Sequence, residues 1–144
     1  MSDKGIERRL CQRFKIPGAT ISYTRQKLLF SPKAFDEEFC PVLDISRGGV
    51  RFLTQKPLKF KSKVTLQLSI PGDRIPLSLK GRVRWSTFNA GKSYKYQAGV
   101  QFSPYGLEKN QNVPQALTKI VALEQKFIEP DGPEFSGKPS EFGA

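Results

Sequence analysis

The sequence predicts a mostly β protein, in which a six-stranded antiparallel barrel is followed by a C-terminal helix. Apolar and polar residues alternate over most of the span from residue 16 to Phe102, a period that is typical of half-buried strands. Turn signals such as PGDR and FNAGKS separate the alternating runs, which indicates hairpins rather than parallel β-α-β units. Six short strands in 144 residues favour closure into a barrel, because closure removes exposed sheet edges.

The first four strands follow one another along the chain. We expect them at ATISYTR, PVLDIS, GVRFLT and KVTLQLSI. The fourth run alternates without a miss, and its inward residues are Val64, Leu66, Leu68 and Ile70.

The fifth strand, PLSLKGRVRWSTF, has one apolar side made of Leu77, Leu79, Val83 and Trp85. Gly81 occupies the inward position in the middle of this set, so we expect a bulge or bend there that lets the strand curl around a small barrel. The same alternation predicts that Trp85 packs in the core. The sixth strand is expected at YKYQAGVQF.

One helix is expected after the barrel. Asn112 is predicted to cap it, and Pro114 suits its first turn. Its apolar stripe consists of Ala116, Ile120, Leu123 and Phe127. Such a stripe must lie against the barrel or against another protein.

The chain divides into three predicted segments. Residues 1–15 form a charged leader that we expect to be flexible, residues 16–128 form the barrel and helix, and residues 129–144 form a tail. The tail has three prolines, three glycines and no periodicity, so we expect it to be disordered. There is no secretory signal and no apolar run near the roughly 18 residues that cross a bilayer, so we expect a cytoplasmic protein without a transmembrane segment.

The composition favours a phosphate-bearing partner and argues against an enzyme. Lysine and arginine number 24 against 13 acidic residues, which gives a net charge of +11. The chain has no histidine and only two cysteines, Cys11 and Cys40. The usual zinc and iron ligand sets and the Ser-His-Asp and Cys-His catalytic groups are therefore excluded. No metal, catalytic residue or enzymatic activity is expected.

The stretch RRLCQRF places Arg8, Arg9 and Arg13 within six residues near the start of the chain. Charge runs near termini are most often solvated, so the alternative to an anion-binding role is a tail that binds nothing. Arg47 and Arg51 repeat the same four-residue separation further along, which makes the spacing weak by itself.

The hexapeptide DISRGG, residues 44–49, joins two predicted strands. Asp44 and Ser46 are two residues apart, so both side chains emerge on one face of an extended strand. Gly48 and Gly49 allow positive φ angles and carry no Cβ that would obstruct a flat ligand. The alternative is an ordinary tight turn, since aspartate, serine and glycine favour turns.

The order of RRLCQR, a strand, DISRGG, a barrel and a helix resembles the PilZ domain, the bacterial receptor module for cyclic di-GMP. Arg9 and Arg13 match its R-x-x-x-R motif, preceded by Arg8 in the common double-arginine form. Its D/N-x-S-x-x-G motif falls on Asp44, Ser46 and Gly49. GRVRW and YQAGVQF look like later strands of the same family, and the resemblance covers roughly residues 6–127.

The resemblance implies a stand-alone receptor that binds cyclic di-GMP on the outer surface of the barrel, with no cofactor. The ligand-binding residues are then Arg8, Arg9, Arg13, Asp44, Ser46, Gly48 and Gly49. An arginine fork matches the O6 and N7 acceptors of guanine, and a carboxylate such as Asp44 can accept from its N–H donors. Ligand would bridge the leader to the barrel, and the resulting change would signal to an unidentified protein partner.

Two other interpretations stay open. A small basic β-barrel can bind single-stranded nucleic acid, although the strand aromatics are expected mostly at inward positions, which makes nucleic acid the less favoured partner. A PilZ-like domain can also serve only as a scaffold, which the intact motifs argue against. Whether Trp85, Arg47 or Arg51 contacts the ligand, whether one or two ligands bind, and the oligomeric state are not decided by the sequence.

Overall fold

The computed structural model describes residues 12–25, 35–90 and 93–128, which form a closed antiparallel barrel and one helix. The strands are β1 (Thr20–Arg25), β2 (Glu37–Ile45), β3 (Gly49–Thr54), β4 (Lys63–Ser69), β5 (Leu77–Phe88) and β6 (Tyr96–Phe102), and the helix is α1 (Pro114–Phe127). Around the barrel they are hydrogen-bonded in the order β1-β2-β3-β6-β5-β4. The predicted fold class, a mostly β six-stranded antiparallel barrel with a C-terminal helix, is confirmed.

The barrel interior is filled by the inward half of each alternating strand. In β4 the side chains of Val64, Leu66 and Leu68 are buried while Lys63 and Thr65 are exposed. Ladder partners share a face, so Leu66 meets the buried Leu79 of β5. The alternation places the opposite half of each strand on the outer surface, where ligands and partners have access.

The fifth strand departs from the predicted pattern in two ways. The ladder between β5 and β6 is regular at Gly81 and shifts between Val83 and Trp85, so the bulge predicted at Gly81 is wrong. Gly81 is needed for a different reason, since a Cβ there would lie 2.5 Å from the carbonyl oxygen of Gln101. After the shift, Trp85 pairs with Gly99 and is only half-buried, so its predicted place in the core is also wrong.

Helix α1 packs its predicted stripe on the barrel, but its cap differs from the prediction. Ala116, Ile120 and Leu123 are buried, and Phe127 is partly buried. The N-cap residue is Val113, in an extended conformation and without a side-chain cap hydrogen bond, so the predicted cap at Asn112 is wrong.

Asn112 instead ties the connection before the helix to the barrel. Its amide oxygen accepts from the backbone N–H of Lys80 at 2.7 Å, and its amide nitrogen donates to the carbonyls of Lys80 and Ser103 at 3.1 and 2.9 Å. The side chain of Asn112 is buried, so its polar atoms need these partners in place of water.

The end of the predicted leader lies on the barrel. Phe14 and Ile45 exchange two backbone hydrogen bonds of 2.9 Å, which form an antiparallel bridge, and the side chains of Phe14 and Ile16 are buried in the core. The predictions of a flexible leader and a disordered tail otherwise concern residues 1–11 and 129–144, which lie outside the described residues.

Within the described ranges, no helix is long and apolar enough to span a membrane. The same ranges hold no group of histidine, cysteine, aspartate and glutamate side chains that is arranged to bind a metal ion.

We expect Asn112→Ala to lower the free energy of unfolding by about 1–3 kcal/mol, because it removes the side-chain partner of the Lys80 N–H and of the Ser103 carbonyl. Urea unfolding followed by circular dichroism measures this. Thr118→Ala is the control, since that hydroxyl is exposed and makes one long bond of 3.5 Å. Equal stability of the two variants would contradict the assignment.

Candidate ligand-binding site

The Phe14–Ile45 bridge brings the described arginine of the first motif next to the second motif. Because the two segments run antiparallel, Arg13 lies beside the end of β2, where Asp44 is found. The Arg13 guanidinium donates to Asp44 Oδ1 at 2.8 Å, across 31 positions of sequence. The structure therefore joins these two predicted site residues directly.

Asp44 also holds a second arginine. Arg51, its ladder partner on β3, donates from Nε to both carboxylate oxygens at 3.0 and 3.1 Å, and its Nη2 donates to Oδ2. The Asp44 side chain is 8% exposed, whereas those of Arg13 and Arg51 are 48% and 38% exposed. One buried carboxylate thus fixes two guanidinium groups that still face solvent.

The ionisation of Asp44 follows from this arrangement. Burial by itself raises the pKa of Asp44, but the hydrogen bond from Arg51 and the positive charges of Arg13 and Arg51 outweigh it, so the pKa is lowered from its ordinary value. The same contact raises the pKa of Arg51. At neutral pH the cluster carries one negative and two positive charges, which leaves a net positive site.

The turn after β2 is closed by backbone and side chain together. The Ser46 N–H donates to the carbonyl of Gly49 at 2.8 Å, and the Ser46 hydroxyl oxygen accepts from the Gly48 N–H at 3.1 Å. Neither glycine has the positive φ angle that the sequence suggested. Gly49 is required because a Cβ would lie 2.5 Å from the carbonyl oxygen of Val100 on the neighbouring strand.

An open cavity of about 500 Å³ lies over this turn, which is within the range of roughly 300–1,000 Å³ for small-ligand sites. The residues that line it include Arg13, Ser46, Gly48, Gly49, Arg84 and Trp85. Asp44 is not among them and acts on the cavity through Arg13. Four of the predicted site residues therefore share one cavity, while Arg8 and Arg9 lie outside the described residues.

Trp85 is a cavity residue that the alternation pattern misplaced. The irregularity between Val83 and Trp85 reverses which side of β5 faces out, and the indole then covers Gly99. A Cβ at Gly99 would lie 2.4 Å from the indole, so glycine is needed there for the ring to lie flat on β6. No sequence signal marks this shift, because the bulge falls on the charged residue Arg84 and leaves the apolar positions of the run unchanged.

Arg47, in the same turn, points away from Asp44 and binds the C-terminal helix. Its Nε donates to Glu124 Oε1 at 2.8 Å, and its carbonyl accepts from the Tyr105 hydroxyl at 2.7 Å. Burial raises the pKa of Tyr105 to about 12, so this hydroxyl stays protonated and donates. The glycine turn is thus linked to α1 by a contact that spans 77 positions of sequence.

Cys40 has the properties of a core residue rather than a reactive one. Its side chain is buried, and burial together with the nearby Glu37 carboxylate raises the pKa of the thiol to about 12. Because the thiolate is the nucleophile, this cysteine is inert at neutral pH.

We expect Asp44→Asn to lower the free energy of unfolding at pH 7 by about 1–3 kcal/mol, because charged hydrogen bonds to two arginines are weakened. The folded-state pKa of Asp44 lies below the unfolded value of about 3.9, so this stabilisation is complete above that pH and is lost as the pH falls through the folded pKa. Urea titrations of both proteins from pH 7 to 2 should give a difference that narrows below about pH 4.

Asp73→Asn is the matched control, since it removes an exposed ion pair with Lys119 that contributes less than about 1 kcal/mol. A difference between wild type and Asp44→Asn that stays constant down to pH 2 would contradict the predicted linkage.

The chain has detectable similarity to known proteins. The sequence matches the PilZ domain family over residues 7–118. Among solved structures, the chain is similar to that of the Bacillus subtilis inhibitor of motility (MotI/DgrA), with 17% sequence identity and a TM-score of 0.48. That match covers 83% of this chain and 52% of the other, so the chain spans about half the length of that protein. A search of curated proteins gives no match.

The family match contains both motifs, RRLCQRF and DISRGG, together with the whole barrel and the start of α1. It also contains the turn whose backbone closes under the cavity. Since it extends over far more than half of the 144 residues, the chain belongs to the PilZ domain family.

Proposed function

We propose that this chain is a non-enzymatic receptor for cyclic di-GMP that changes conformation on binding and signals to a protein partner. The PilZ family is a family of cyclic di-GMP receptors, which supports the ligand class. The observation that carries the proposal is the cavity in which Arg13, Ser46, the glycine turn and Trp85 meet beside the Asp44 ion-pair cluster. Arg8 and Arg9 are proposed to add to this site.

The chemistry of the cavity suits a guanine dinucleotide. An arginine fork binds the O6 and N7 acceptors of guanine in bidentate fashion, and the flat indole of Trp85 offers a stacking surface. Charge-assisted hydrogen bonds to phosphate contribute roughly 1.5–3 kcal/mol each, and a guanidinium stacked on a ring contributes roughly 0.5–2 kcal/mol. A few such contacts reach the roughly −8 kcal/mol of a micromolar complex after ordering costs.

Asp44 is proposed to act in two ways. In the free protein its carboxylate oxygens accept hydrogen bonds from Arg13 and Arg51, so it orients both guanidinium groups beside the cavity. For the carboxylate to accept from a guanine N–H, one arginine must turn away and bind the ligand instead. The ligand would thus exchange one ion pair for contacts of the same kind, which keeps the buried charge compensated.

The conformational change is proposed to reach α1 through Arg47. Phosphate near the glycine turn competes with Glu124 for the Arg47 guanidinium, because both are anions. Loss of that ion pair would loosen the only side-chain hydrogen bond between the turn and α1 among the described residues. The exposed surface of the helix would then change, and a partner protein that binds this surface would detect the change.

Single-stranded nucleic acid is the second candidate ligand, on the basis of the net charge and of exposed aromatic rings. Phe39, Phe60 and Phe88 are 61%, 59% and 68% exposed. Lys61 lies 5.5 Å from the centre of the Phe60 ring, an arrangement that nucleic-acid surfaces also use.

Calorimetric titration with cyclic di-GMP, GMP and an oligonucleotide at low and moderate salt tests the proposal. We expect saturable binding of cyclic di-GMP that Arg13→Ala weakens more than tenfold, because removing a charge-assisted contact costs about 1.5–3 kcal/mol. Arg74→Ala is the control, since this exposed arginine does not line the cavity. Unimpaired binding by Arg13→Ala would refute the site, and binding of the oligonucleotide alone, with a steep loss in salt, would favour the second candidate.

Amide hydrogen exchange tests the proposed route to the helix. We expect saturating cyclic di-GMP to protect residues 5–15 and to alter exchange in residues 114–127. Glu124→Gln should abolish the change in α1 while binding is kept, because the ion pair with Arg47 for which phosphate competes is already lost. Glu108→Gln, an exposed residue outside that contact, should behave as wild type. If ligand leaves α1 exchange unchanged in the wild-type protein, this route is excluded.

A further inference from the structure

A second cleft lies on the surface of β1, β4 and β5, and it shares no lining residue with the Arg13 cavity. Its volume is about 530 Å³. Four cationic side chains line it, namely Arg25, Lys63, Lys80 and Arg82. We refer to it as the basic cleft.

Three of these charges lack a carboxylate partner in the described part of the chain, where Lys63, Lys80 and Arg82 form no ion pair. Arg25 is neutralised by Asp36, at 3.3 Å. Lys63 and Arg82 are ladder partners, and like charges directly opposite each other destabilise a sheet. This arrangement therefore costs folding free energy that an anionic occupant of the cleft would offset.

The cleft is held in shape by backbone contacts. The Ser103 N–H donates to the Lys80 carbonyl at 2.8 Å. The Asn112 side-chain amide also donates to the carbonyls of Lys80 and Ser103. Lys80 and Arg82 are two residues apart on β5, which places their Cα atoms roughly 6.6–6.8 Å apart, while neighbouring strands are roughly 4.8 Å apart. The three backbone positions are therefore fixed relative to one another, and their cationic side chains all project from the outer face beside the cleft.

We propose that the basic cleft binds an extended acidic segment of a partner protein, with carboxylates at alternate residues. In such a segment alternate side chains repeat at the same spacing as Lys80 and Arg82, so successive carboxylates meet successive cations. Thr24, Thr65 and Ser103 supply hydroxyls that can bind a peptide backbone. None of the described residues that line the cleft is aromatic, so they offer nucleic-acid bases no stacking surface.

The test uses the full chain and three probes: an octapeptide of alternating aspartate and serine, an all-serine octapeptide and an eight-residue oligothymidylate. Affinities are measured by fluorescence anisotropy at low and moderate salt. We expect the acidic peptide to bind and the serine peptide not to bind. The triple variant Lys63→Gln, Lys80→Gln, Arg82→Gln should bind the acidic peptide at least about fivefold more weakly.

The matched control is Lys56→Gln, Lys59→Gln, Lys95→Gln, which removes the same charge from exposed lysines that do not line the cleft. It should bind the acidic peptide within about twofold of wild type. Equal losses in both triple variants, no binding of the acidic peptide, or tighter binding of the oligothymidylate that only the cleft variant weakens would each overturn the proposal. Cyclic di-GMP binding by the cleft variant, measured in parallel, separates this result from the dinucleotide site.

Discussion

The two hydrogen bonds between Phe14 and Ile45 are the constraint on which the site depends. They attach a segment that belongs to no strand of the barrel to the end of β2, and the buried ring of Phe14 keeps it there. Arg13 directly precedes the anchored Phe14. Its backbone is therefore already held beside β2, and its guanidinium can reach Asp44. The last arginine of a run that looks like a solvated terminus in the sequence is thereby made part of the barrel surface.

Around that anchor, buried and exposed charges have different roles. The Asp44 carboxylate is buried and compensated, so it orients two arginines rather than presenting charge of its own. The arginines keep solvent-facing edges and supply the positive field of the cavity. Arg47 extends the arrangement to α1, since one residue of the turn binds the helix while its neighbours form the cavity floor.

The architecture could be predicted from the sequence because period-two alternation is a local signal. Every strand follows from it, and the apolar stripe of α1 follows from the helical period of 3.6 residues, which is equally local. The departures come from contacts between distant residues. Asparagine is a common helix-capping residue, yet the side chain of Asn112 instead accepts a hydrogen bond from the backbone N–H of Lys80, 32 positions away. The misplacement of Trp85 has another cause, because one bulge residue reverses the two sides of a strand and leaves no mark in the pattern. The pairing of Asp44 with Arg51 is likewise a matter of ladder register.

The position of the indole over Gly99 has an optical consequence. The chain contains one tryptophan, and this residue is half-buried at the cavity wall rather than shielded in the core. Its emission spectrum depends on the water and charge around that single place. The protein therefore carries an intrinsic fluorophore whose wavelength and quenching report the occupancy of one surface, with no label and no second tryptophan to separate.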